Sequence, residues 1–149
     1  ARDLRQPPAL IRAAVQGALG GPDYIDTAAV LTAPRLFSMA GLGPQDVDVA
    51  QIYDHFAPFV LFALEDYGFC ATGEGGPFAE AGEIAWPDGG LPVNTSGGHL
   101  SEAYMQGMNQ LIEGVRQARG SSTAQVEGAE VSFVDTGIGT GALLLTGSS

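Results

Sequence analysis

The chain has 149 residues, 45% of them hydrophobic and only 15% charged, with a net charge of −11. That length suffices for one domain with a real core, and the scarcity of charge means that part of its surface is covered by another chain or domain. The acidity repels nucleic acid and anionic membrane, which excludes both as main partners, and a polyanion such as coenzyme A would need cations drawn mostly from elsewhere.

A strand is expected over Ala9 to Gly17, bounded by Pro7-Pro8 and Gly20-Gly21-Pro22. A helix follows from Asp26 to Met39, capped by Asp26 or Thr27, interrupted by Pro34 at the cost of one backbone bond, and ended by Gly41 and Gly43. Val47 to Tyr53 alternates as a strand does, and Ala57 to Tyr67 is a helix apolar nearly all round, which predicts burial between layers. The stretch Ala71 to Gly90 is a long loop with room for one helical turn. Beyond it, Met105, Met108, Leu111, Ile112, Val115 and Ala118 recur at helical spacing up to Gly120, with Ser101 as the expected N-cap. Val131 to Val134 and Ala142 to Thr146 are β-like. Strands alternating with helices give an α/β layered domain.

Cys70 is the sole cysteine. There is no internal disulfide and no Cys/His spacing for a metal, and the thiol is expected to be buried and inert. No apolar run reaches membrane-spanning length, the N-terminus is polar and Pro-rich without a signal-peptide pattern, and a cytoplasmic protein is expected.

Three polar constellations sit where predicted strands end: Tyr53-Asp54-His55-Phe56, Asn94 through Tyr104, and Asp135 through Gly141. Open α/β sheets collect ligand sites at the carboxyl ends of their strands. In the second constellation Gly97-Gly98 lets a substrate approach the main chain, Asn94 and Tyr104 can bind a carbonyl oxygen, and Tyr104 can also move a proton. Structural roles stay open for each: Tyr53 as a core aromatic, Asp54 and Asp135 as turn or cap residues, His55 as a packed or capping residue, His99 as an exposed one. The Gly-x-Gly-x-Gly run leads into a strand rather than a helix, which argues against a phosphate loop.

In this order and at these separations, the three loops resemble the C-terminal half of the thiolase superfamily, in its lipid-transfer-protein-like branch, which includes the steroid side-chain-cleaving aldolases. Leu91-Pro92-Val93-Asn94-Thr95-Ser96-Gly97-Gly98 matches the thiolase Asn-x-Ser-Gly-Gly signature, and Asp135 through Gly141 matches the terminal Gly-rich loop. Tyr53-Asp54-His55-Phe56 falls where thiolases have Asn-Glu-Ala-Phe and the lipid-transfer branch has His-Asp-Cys-Phe. Tyr104 stands at the position of the thiolase Gly-His-Pro histidine, and Asp135 at that of the acid/base cysteine. The resemblance covers nearly the whole chain and implies that residues 1–149 form one half of a five-layer αβαβα protein, a mixed sheet covered by helices. Its partners would be the N-terminal thiolase half, on the same or a separate chain, a second copy in a thiolase-type dimer, and an OB-fold/zinc-ribbon accessory subunit.

The implied activity is that of an aldolase: retro-aldol cleavage of a β-hydroxyacyl-CoA, with a steroid side-chain thioester as substrate. It needs a base for the β-hydroxyl, stabilisation of an enolate and an acid for the α-carbon, but no covalent nucleophile. Tyr104 and Tyr53 are the expected proton-transfer residues, supported by Asp54 or His55. Substrate binding is expected at Asn94, Gly97, Gly98, His99, Asp135, Gly137 and Gly139. Coenzyme A enters as part of the substrate, and this chain is expected to bind no cofactor of its own. A non-catalytic acyl-CoA or sterol-binding module is the alternative, and a thiolase or condensing enzyme with shifted catalytic groups is a third reading.

Overall fold

A computed structural model of the chain describes residues 5–18, 27–137 and 141–147, the side chains of 141–144 excepted. Its sheet has four strands: β1 (Ala9–Gln16), β2 (Val49–Gln51), β3 (Val131–Asp135) and β4 (Gly141–Gly147). The order is β1-β4-β3-β2; β4 runs antiparallel to both neighbours and β2 parallel to β3. Beyond β2 the chain adds one more parallel bridge, Ala50 to Val93, which brings the Asn-x-Ser-Gly-Gly segment to the sheet edge. The Asp48 carboxylate accepts the N–H groups of Glu130 and Val131, both at 2.8 Å, and so sets where β2 and β3 begin to pair. The expected strand over 47–53 is only three residues long, because the Ile52 N–H leaves the ladder for the Asn94 side chain.

Helix α1 (Ala29–Ala40) starts three residues later than predicted. The Thr27 hydroxyl accepts the Ala29 N–H at 3.1 Å and donates to Asp66 at 2.6 Å, tying the start of α1 to the end of α2 (Ala57–Asp66). Asp26, the other cap candidate, Gly20-Gly21-Pro22 and Gly139 lie outside the described residues. Gly41 closes α1 in the left-handed region, at φ 69°. The loop over 71–90 contains a short helix, α3 (Gly75–Glu80). Leu36, Ala63, Leu64, Tyr67 and Phe133 form the main core between α1, α2 and the sheet, with the Tyr67 and Phe133 rings 4.5 Å apart edge-to-face. Only Ala63 and Leu64 of α2 are fully buried, so its predicted burial between layers is not complete in this chain.

Helix α4 (Met108–Ala118) lies on the opposite face, over Val134 and Leu145. A Cβ on Gly114 would collide with a Val134 methyl, so glycine sets how closely this helix approaches the sheet. The helix begins at Met108, and Ser101 does not cap it. Gln106 (φ 50°) and Gly107 (φ 87°) break the helical path, and at Gly107 the backbone comes so close to the Thr136 carbonyl that no side chain would fit. Only half of the expected apolar stripe meets the sheet, with Leu111, Val115 and Ala118 packed against Val134 and Leu145. Asn109, Gln110, Glu113 and Gln117 are buried, while Met105, Met108 and Ile112 are exposed.

Among the described residues, no helix is long and apolar enough to cross a membrane. Cys70 is partly buried, and burial, followed by the nearby Glu65 and Glu74 carboxylates, pushes its pKa up and keeps the thiol protonated.

Candidate active site

The Asn-x-Ser-Gly-Gly turn is built from backbone conformations that few residues adopt: Asn94 at φ 51°, Gly97 at 96° and Gly98 at 65°. The Asn94 N–H donates to the Ala50 carbonyl at 2.9 Å, and the Asn94 side-chain oxygen accepts the Ile52 N–H at 2.8 Å. Asn94 therefore extends, through its main chain and its side chain, the edge pairing that the Ala50–Val93 bridge begins. Thr95 is pinned from below. Its hydroxyl donates to Glu113 at 2.7 Å and accepts the side-chain amides of Gln51 and Gln117 at 3.0 and 2.9 Å. The same Glu113 oxygen accepts the Ser122 hydroxyl at 2.6 Å. The buried polar face of α4 is thus a bracket for this turn, with the Glu113 carboxylate and the Gln117 amide both hydrogen-bonded to Thr95.

Asp54 closes the turn from the other side. Both carboxylate oxygens accept the His99 N–H at 3.1 Å, and Gln110 donates to one of them at 3.0 Å. A Cβ on Gly98 would collide with this carboxylate, so the close approach admits only glycine. The geometry makes Asp54 a clamp on the Gly-Gly-His backbone.

The clamp fixes an aromatic cluster. The His99 side chain is 4% exposed, stacks on Tyr104 (4.7 Å between centroids) and meets Tyr53 edge-on (4.8 Å). Neither of its ring nitrogens has a hydrogen-bond partner among the described residues, and Nε2 lies 3.9 Å from Asp54. Tyr53 and Tyr104, 51 residues apart in sequence, meet hydroxyl to hydroxyl at 2.7 Å. Burial, then the Tyr104 hydrogen bond and the Tyr104 and Asp54 charges, push the Tyr53 phenol up to about 12. It is therefore neutral at physiological pH. His55 stacks on Phe59 at 4.7 Å, lies 4.9 Å from the Tyr53 ring, and has its pKa lowered by burial first and by His99 second, so its imidazole tends to the neutral form.

The third loop reaches the same end of the sheet. Asp135 is buried and accepts the Gly137 N–H at 2.9 Å, forming a local turn, and Thr136 packs against Gly107 three residues beyond Tyr104. Sequence reasoning missed Thr95, Gln110, Glu113 and Gln117. The signal was present: Asn109, Gln110, Glu113 and Gln117 keep a helical period of their own, parallel to the apolar stripe that drew the reading.

Residues 17–146 match the family described as thiolase C-terminal domain-like. The 17-hydroxy-3-oxo-4-pregnene-20-carboxyl-CoA lyase of Mycobacterium tuberculosis is 44% identical over 93% of this chain and 38% of its own length. A steroid side-chain-cleaving aldolase of Thermomonospora curvata is 41% identical, again over 93% of this chain and 38% of that protein. A solved structure of the Ltp2-ChsH2(DUF35) aldolase superposes with a TM-score of 0.88 at 39% identity, covering 98% of this chain and 41% of that one. The chain thus spans well under half the length of the curated relatives it matches.

Proposed function

This chain belongs to the family of thiolase C-terminal domain-like proteins, and on that premise we propose that it is the C-terminal half of a carbon–carbon lyase that cleaves a β-hydroxyacyl-CoA. The names of two of its curated relatives support a steroid side-chain thioester as the substrate class. The observation that carries the chemistry is the direct contact of the Tyr53 and Tyr104 hydroxyls at 2.7 Å.

An isolated phenol is a poor base at neutral pH. Two phenols joined by a short hydrogen bond avoid that difficulty, because neither has to ionise fully. In this reading the β-hydroxyl proton moves to the oxygen of Tyr104, the more exposed of the pair, as the bond between the α- and β-carbons breaks. The β-carbon leaves as a carbonyl compound, and the electron pair of the broken bond becomes the thioester enolate. Tyr104 passes its own proton to Tyr53, and Tyr53 gives its proton to the α-carbon. Both tyrosines finish protonated, and the products are a carbonyl compound and a shortened acyl-CoA. The glycine pair at 97–98 gives the acyl group room to approach, while Asp54 and His99 act as positioning residues that keep the phenols in register.

Coenzyme A belongs to the substrate in this reading, its phosphates neutralised mostly by the N-terminal thiolase half, and a cytoplasmic location goes with it. The exposed Met108 and Ile112 of α4 and the 38% coverage of the relatives support that missing half. A thiolase-type dimer and an OB-fold/zinc-ribbon accessory subunit complete the proposed assembly. In the complete enzyme, Tyr104→Phe and Tyr53→Phe should each slow carbonyl release about 10²- to 10⁴-fold, the usual loss for a proton-transfer residue. Either variant retaining the wild-type rate would refute the relay.

A further inference from the structure

We propose that His55 and Asn94 form the oxyanion hole of this site, donating from an imidazole N–H and a side-chain amide to the thioester oxygen as it becomes an enolate. The assignment rests on the aldolase reading above and supplies a part that the phenol pair does not. Cleavage of the carbon–carbon bond leaves a negative charge on the enolate, and preorganised donors aimed at that oxygen are usually the largest single contribution to such a step. In the relay both phenol hydroxyls are committed to the proton that travels from the β-hydroxyl to the α-carbon, so other groups must hold the enolate oxygen.

A cavity of about 670 Å³ is lined by three polar side chains, Asp54, His55 and Asn94, and by no Lys or Arg. The His55 ring lies 4.9 Å from that of Tyr53, which puts this trio next to the relay. An enolate there meets no cation from this chain, so neutral donors must serve. Asp54 cannot be one of them. Its carboxylate only accepts hydrogen bonds, and it already receives the His99 N–H at 3.1 Å and the Gln110 amide at 3.0 Å.

Asn94 is oriented for the role. Its side-chain oxygen accepts the Ile52 N–H at 2.8 Å, which leaves the NH2 group as the end of the amide that can meet a ligand. His55 is held through its ring, which stacks on Phe59 at 4.7 Å and 22°. Its Nδ1 is buried and has no hydrogen-bond partner among the described residues, leaving Nε2 as the nitrogen for a ligand. A neutral imidazole carries its single N–H on either nitrogen, and an oxygen anion selects the Nε2–H form. Burial first and His99 second lower the His55 pKa. The ring therefore donates a hydrogen bond without giving up a proton, and the enolate stays free to be protonated at carbon.

The test uses the complete enzyme and three variants. His55→Gln keeps a side-chain N–H donor but loses the ring, whereas His55→Phe keeps a ring to stack on Phe59 but has no donor. Asn94→Asp keeps the oxygen that accepts the Ile52 N–H and suits the φ of 51°, but removes the NH2 group. Turnover is measured with a β-hydroxyacyl-CoA, and binding by titration calorimetry with the same thioester lacking its β-hydroxyl. His55→Phe and Asn94→Asp should each lower kcat about 10²- to 10³-fold. Binding of the uncleavable thioester should change by less than about fivefold, because these donors act on charge that develops only in the transition state. His55→Gln should retain at least about tenfold more of kcat than His55→Phe. A kcat in His55→Phe equal to or above that of His55→Gln, a wild-type kcat in Asn94→Asp, or a loss confined to binding would each overturn the assignment. Failure of the aldolase reading shows instead in the wild type, as no carbonyl release from the β-hydroxy thioester, and takes the oxyanion hole with it; carbonyl release at the wild-type rate by the variants refutes the oxyanion hole alone.

Discussion

Replacing Gly98 by alanine tests the link between the glycine turn and the phenol pair. Gly98 has φ +65°, and its Cβ would strike the Asp54 carboxylate. The first cost is conformational, about 1–2 kcal/mol for an L-residue in the left-handed region. The second arises because Asp54 must move. Its side chain is only 11% exposed and holds the His99 N–H at 3.1 Å and the Gln110 amide at 3.0 Å. A hydrogen bond to a charged group contributes about 1.5–3 kcal/mol, so losing one of the two brings the total to about 2.5–5 kcal/mol. Gly120→Ala is the control: φ is +66°, but the added Cβ meets nothing within 4 Å, so only the first cost applies. The difference between the two variants in urea denaturation of the complete enzyme should therefore be about 1.5–3 kcal/mol. Cleavage by Gly98→Ala should also fall by about tenfold or more, since His99 is the next residue and its ring packs against both tyrosines. Equal destabilisation and equal activity of the two variants would refute the clamp.

The Tyr53 phenol, pushed up to about 12, binds its proton more tightly folded than unfolded. Its contribution to stability is therefore full below about pH 10 and is lost as pH rises towards 12. Titration of phenolate absorbance should show a late ionisation that Tyr53→Phe lacks; a difference spectrum centred on the ordinary tyrosine range would contradict this. Ile112 is 39% exposed in this chain, where a surface substitution costs within about ±0.5 kcal/mol. If the second thiolase half covers it, Ile112→Glu should instead destabilise the complete enzyme by about 3 kcal/mol, as an unpaired buried charge does. A loss within the surface range in thermal and urea unfolding would exclude Ile112 from that interface.

Much of the architecture was legible residue by residue. Glycine and proline punctuation bounded β1, and the apolar run from Ala57 marked α2 to within one residue of its observed end. The alternation of strands and helices gave the layered class, and the polar clusters at strand ends pointed to one edge of the sheet. The start of α4 was not legible. Met105 keeps the apolar spacing of the helix, and only the approach of Gly107 to the Thr136 carbonyl, 29 residues further along the chain, explains why the helix waits until Met108. The orientation of α4 was hidden for a related reason: Gln110, Glu113 and Gln117 are drawn inward by Asp54 and Thr95, residues of distant loops, and Met108 and Ile112 are left exposed.

By itself, the sequence determined which groups the site contains: two tyrosines where a related pattern has other chemistry, a glycine pair that frees the backbone, and strands short enough to end in loops. Local residue chemistry suffices for that, because turn glycines and apolar periods act over a few residues. Tertiary structure alone decided that the two hydroxyls meet at 2.7 Å. That distance depends on Asp54 gripping the His99 backbone across 45 residues and on a buried helix face bracing Thr95, contacts whose geometry no local period encodes.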